Sequence, residues 1–146
     1  MGGHPLTAAL NINMNDLRSG IDTELKNVIV PELRNRGFKG SYPHFRRIGE
    51  TGIDLWTFQF DRNGGGLVIE IAQSPLSGVT THWGMEIPPN KVTAWDLHPD
   101  SRKRLKPIDG SGTDSWFRFE DGNFERVAKQ VLLELPAAEE WWRNHV

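Results

Sequence analysis

Thr57, Gln59, Glu70, His82 and Glu86 occupy the polar phase of three successive runs in which apolar and polar residues alternate. A period of two sends one phase of a strand to one face of its sheet, so these five side chains are expected to share a face. Arg46 or Arg47, from the basic Phe45-Arg46-Arg47 just upstream, would join them. A carboxylate, an imidazole and a guanidinium on neighbouring strands are the groups that acid–base catalysis uses, and they are equally able to hold a polar ligand. The same composition also describes the ordinary wet face of an antiparallel sheet covered on its other side. Only convergence of the groups in a concavity separates these readings.

Other candidates are weaker. Asp96, His98 and Asp100 alternate, but metal ligands are normally drawn from several elements with outer-shell support, and here Pro99 sits within a loop, so no metal site is expected. The run Arg102-Lys103-Arg104-Leu105-Lys106 carries four cations, enough for a weak, salt-sensitive phosphate contact, and a solvated loop is the expectation. The chain has no Gly-rich phosphate loop ending in Lys-Ser/Thr, no Gly-x-Ser-x-Gly and no His-Glu-x-x-His. With no cysteine it has no thiol nucleophile and no thiolate metal site. No catalytic residue and no cofactor can be named from these patterns.

The elements that would position the polar face are legible. Leu17, Ile21, Leu25, Val28 and Leu33 form a helical stripe between about residues 15 and 36, interrupted at Pro31, where a kink or restart is expected. Gly37 suits the left-handed position after the helix, with Phe38 folding back on its last turn. A first strand is expected near residues 42–48. A second follows with Trp56, Phe58 and Phe60 on the apolar phase, and a third, beyond the Asn63-Gly64-Gly65-Gly66 turn, with Leu67, Ile69 and Ile71. A fourth strand would run from Val79 to Ile87 and add Trp83 and Met85 to the same dry face. Residues 88–114 read as a long irregular connection, the kind that often carries function. A last strand at Trp116-Phe117-Arg118-Phe119 leads to a helix capped by Asn123 with Phe124, Val127, Val131, Leu132 and Leu135 on one stripe, and Pro136 opens a short terminal helix. Tryptophan also favours interfaces, so Trp95, Trp141 and Trp142 are the ones whose exposure would matter.

These elements predict an α+β fold: an antiparallel meander of about four to six strands with N- and C-terminal helices on one face. The 146 residues fit one core, divided into an N-terminal arm at 1–14 and a single domain at 15–146. A formal charge of −2 supplies no overall field for nucleic acid or an anionic membrane. Neither a signal peptide nor a membrane-spanning run is expected, and the cysteine-free composition suits the cytoplasm.

The order of features, Leu33-x-x-x-Gly37-Phe38-Lys39, then Phe45-Arg46-Arg47, then Phe58-Gln59-Phe60, then Asp114-x-Trp116-Phe117 and a closing amphipathic helix, resembles the small bacterial proteins of domain of unknown function 4304. The resemblance spans nearly the whole chain from about Asn15. It implies helices packed on an antiparallel sheet and no established activity, so it transfers no catalytic residue. Members typically carry an Arg-rich strand before the Trp pair, for which Arg102-Lys103-Arg104-Leu105 stands in here. The functional expectation is a non-enzymatic module that binds another protein, of which a partner-neutralising immunity protein is one form. Its contact surface would be Arg46, Arg47, Gln59, Glu70, His82, Glu86 and Trp95. The alternative is a small-ligand binder or enzyme using Glu70, His82 and Arg46 or Arg47.

Overall fold

The computed structural model describes residues 13–107 and 116–145. The expected arm at residues 1–14 and the end of the 88–114 connection therefore lie almost wholly, and partly, outside the described residues.

The first helix, α1 (Met14–Asn35), is capped by Asn13, whose side chain accepts the Asp16 amide at 2.9 Å. Its buried stripe is Leu17, Ile21, Leu25, Ile29 and Leu33, a strict spacing of four that replaces Val28 with Ile29. The helix runs through Pro31 without restarting. Pro31 lies one turn from the end, where the dry stripe on both sides holds the helix to the sheet. At the C-terminus the amides of Gly37 and Phe38 reach back to the Arg34 and Leu33 carbonyls, at 3.0 and 2.9 Å. Gly37 has φ +95, so the expected left-handed closure is present and Phe38 is buried.

Six strands form the main sheet, in the order β1 (Lys39–Ser41), β2 (His44–Ile48), β3 (Ile53–Phe60), β4 (Gly66–Ser74), β7 (Lys103–Leu105), with β8 (Phe117–Arg118) on the same edge of β4 as β7. All its pairings are antiparallel. Trp56 pairs Ile71, Phe58 pairs Ile69 and Phe60 pairs Leu67, so the apolar phases meet on one face as the alternation requires. The helices α1, α2 (Phe124–Leu132) and α3 (Leu135–Arg143) cover that face and make one continuous core with it. Trp142 is buried against Trp56 and Phe38, and its indole donates to the Ala72 carbonyl at 3.0 Å.

Beyond Pro31 and Ile29 in α1, four features depart from the sequence expectation. The 79–87 run is a separate two-stranded hairpin, β5 (Val79–Thr80) and β6 (Glu86–Ile87), and not a fourth strand of the sheet. Alternation looks the same in a single strand and in two short arms. The difference lies in a turn, in which the Thr81 amide donates to the Met85 carbonyl, the Met85 amide donates to the Thr81 hydroxyl, and Gly84 takes φ +88. Trp83 and Met85 consequently stand in solvent and leave the dry face. Second, Lys39–Ser41 forms an edge strand too short to show a period.

Third, the 88–107 stretch is organised. It contains two 3-10 turns, Ala94–Asp96 and Pro99–Ser101, and then β7, so Lys103–Leu105 is sheet and not a solvated loop. Fourth, the second sheet face is not simply wet. Val92 and Ala94 from that connection bury themselves against Ile53, Leu55 and Ala72 in a second small core, with Val79, Ile87 and Leu97 at its margin.

Candidate functional site

Two polar rows cross the sheet, one on each face. On the second face the register places His44, Thr57, Glu70 and Arg104 side by side across β2, β3, β4 and β7. His44 Nδ1 lies 2.9 Å from Thr57 Oγ1, and Arg104 Nε donates to Glu70 Oε2 at 2.6 Å. Arg102 adds a second guanidinium 3.9 Å from Glu70 Oε1. Trp95 closes the row from above: its indole donates to Gln59 Oε1 at 3.1 Å, and its ring stands edge-on to His44 at 4.7 Å. Arg102 in turn donates to the Trp95 and Leu97 carbonyls, which ties the connection to the sheet.

This row is poor in reactive groups. The Thr57 hydroxyl is wholly buried, so no substrate reaches it, and both Glu70 oxygens face arginines, which compete for the lone pairs a base would need. Burial pushes the His44 imidazole below its ordinary value; the Arg46 charge acts in the same direction and Asp96 against it. His44 is thereby held neutral as a partner for Thr57.

The row on the helix face is Arg47, Asp54 and Gln73, in register across β2, β3 and β4. Arg47 donates to Asp54 Oδ2 at 2.9 and 3.0 Å, to Glu139 at 2.6 and 3.1 Å, and to the Arg36 carbonyl at 3.1 Å. Its guanidinium also lies over the Phe38 ring at 4.6 Å. Gln73 bridges Asp54 and the Trp142 carbonyl, and Arg36 reaches Glu139 from the end of α1. The group borders a cleft of about 330 Å³. Burial lowers and Glu139 and Asp54 raise the Arg47 value, and the carboxylates win. Burial would lift the Glu139 carboxyl, but Arg47 and Arg36 hold it below its usual range. Two cations and two carboxylates that saturate one another tie α3 and the end of α1 to the sheet.

The residues expected to act together are therefore divided. Arg46, Gln59, Glu70 and Trp95 share the second face, and Arg47 lies on the opposite one, because neighbouring strand residues point opposite ways. His82 and Glu86 are exposed on the hairpin, away from the row that holds Glu70. Asp96 and His98 serve as local caps, Asp96 for the Thr93 amide at 2.8 Å and His98 for the Asp100 amide at 3.1 Å. Among the described residues no group of His, Asp and Glu is arranged to hold a metal ion. Sequence reasoning missed the Arg47–Asp54–Gln73 row, yet it left a signal: each of the three falls on the apolar phase of its strand, beside Phe45, Trp56 and Ile71.

The third candidate is the hairpin tip. Thr81 N and Met85 N donate to Met85 O and Thr81 Oγ1 at 2.8 and 2.9 Å, and Gly84 N to Thr81 O at 2.9 Å. This ordered turn holds Trp83 at 56% and Met85 at 54% exposure. The His82 ring stands 4.8 Å from Trp83 and 6.2 Å from His98, which sets the tip against the connection that carries Trp95.

Fold and surface together define a small α+β domain: three helices on one face of an antiparallel sheet, a strapped second face and a projecting apolar hairpin. The model of the family described as Domain of unknown function (DUF4304) matches residues 29–145, and the chain belongs to that family. No curated protein and no solved structure matches it. No helix among the described residues is long and apolar enough to cross a membrane.

Proposed function

We propose that this protein is a non-enzymatic protein-binding module whose contact surface is the β5–β6 hairpin together with Trp95. The observation that carries the reading is the exposure of Trp83 and Met85 on a turn whose backbone is already hydrogen-bonded. A side chain of this size gains roughly 1.5–3 kcal/mol on burial, a gain the free fold forgoes at both positions. Tryptophan and methionine are enriched at interface centres, and a preformed turn loses little entropy on docking. Trp95, 42% exposed, extends the apolar surface, while Trp142 is wholly in the core.

The expected polar surface enters this reading only at its edge, through His82, Glu86 and the outer rim of Trp95. The partner is a protein with an apolar recess, and neutralisation of that partner is the form of activity that suits a domain with no free reactive group in either polar row. The reading sets the interaction in the cytoplasm, with which a cysteine-free composition is compatible. The alternative, ligand or substrate chemistry at Glu70, is disfavoured by the two arginines that occupy its carboxylate.

The test is affinity capture from lysate with wild type and a Trp83→Ala, Met85→Ala variant, followed by calorimetry with the purified captured protein. A one-to-one complex weakened at least about a hundredfold by the double substitution is expected, since hot-spot residues each contribute 2 kcal/mol or more. A partner bound equally well by both forms would refute the hairpin as the contact surface.

A further inference from the structure

Arg46 stands apart from the other half-buried arginines. Arg36, Arg47, Arg102, Arg118 and Arg126 each meet a carboxylate at 3.9 Å or less. Arg46 has no such partner among the described residues: its Nε donates to the Val92 carbonyl at 3.1 Å, which leaves the Nη edge uncommitted. Asp96 acts on it through space, but Asp96 Oδ2 is taken by the Thr93 amide and hydroxyl. Directly opposite Arg46 on the edge strand is Lys39, a second cation on the same face. Like charges paired across strands repel; among the described residues no carboxylate lies within ion-pair distance of either cation, and Asp96 offsets the Arg46 charge only through space.

Both cations open onto a cavity of about 240 Å³ bordered also by Gly37, Asn90 and Ile48. Ile48 shares their face two residues beyond Arg46 and is 58% exposed. We propose that this cavity binds a small organic carboxylate with a short apolar substituent. The Nη pair of Arg46 takes the carboxylate as a two-pronged fork, Lys39 supplies the second charge, and Ile48 packs on the substituent. The volume suits a metabolite-sized acid and is below that of drug-sized pockets. The site shares no lining residue with the hairpin and does not depend on its role.

The experiment is a titration of the full chain with 3-methylbutanoate, followed by amide ¹H–¹⁵N shifts, with inorganic phosphate and chloride titrated in parallel. Saturable shifts centred on Lys39, Arg46, Ile48 and Asn90 are expected for the carboxylate. Arg46→Gln should weaken it about tenfold or more, the scale of a hydrogen bond to a charged group. Ile48→Glu, at an exposed position where folding is not at risk, should abolish binding by supplying an internal carboxylate and should raise Tm by relieving the cation pair. Non-saturating shifts, unchanged affinity in either variant, or phosphate binding as tightly through the same residues would each overturn the proposal.

Discussion

Arg47 makes five hydrogen bonds to groups from three separate elements, so its effect on stability exceeds that of a surface ion pair. Arg47→Met keeps the stem against Phe38 and Trp142 but leaves Asp54 with only Gln73 and Glu139 with only Arg36. A loss of about 2 kcal/mol is expected in urea unfolding, between the values for exposed and fully buried pairs. Glu139 sets an acid limit. Its folded value lies below the ordinary 4.5, so its contribution is complete above that pH and is lost as pH falls through the depressed value. Tm should drop over that range, and Glu139→Gln should flatten the drop. His44 acts at milder pH. Its folded value lies below the ordinary 6.5, so the unfolded chain takes up a proton first and stability falls as pH drops below about 6.5. His44→Gln should remove that slope in a thermal series between pH 7.5 and 5, ranges chosen about the reference value.

At the scale of elements, α1 meets α2 where Gly20 lies under the Phe124 ring. A Cβ built on Gly20 would overlap that ring. In an exposed helix, Gly→Ala gains about 1 kcal/mol; here Gly20→Ala should instead lower stability, because Phe124 must leave its place beside Phe119. A higher Tm for the variant would show that the two helices approach less closely. The β5–β6 hairpin behaves differently: its stem residues Val79 and Ile87 join the small second core, while Trp83 and Met85 at its tip stay exposed.

For the whole molecule, the two faces of the sheet carry different loads. Trp142→Ala should cost about 3–5 kcal/mol, because it opens a cavity beneath α3 and removes the bond to Ala72. Trp83→Ala with Met85→Ala should shift Tm by no more than a degree or two, since surface changes away from packing are worth within about 0.5 kcal/mol. A large loss of stability in that variant would mean the tip belongs to the fold rather than to an interface.

What the sequence determined by itself is the local and periodic part: α1 with its Gly37 closure, the facing apolar phases of β3 and β4, the Asn123 cap and the buried helix stripes. These follow from side-chain geometry repeated every two or four residues, which sends one phase of a regular element to one face wherever that element forms. Only the tertiary structure decided that the fourth alternating run folds back on itself and that the 88–107 connection straps the polar face. It also decided that Arg46 and Arg47 serve opposite faces with different partners. Each of these depends on contacts between residues tens of positions apart, such as Arg47 with Glu139 and Arg46 with Val92, and such pairings leave no period in the chain to be read.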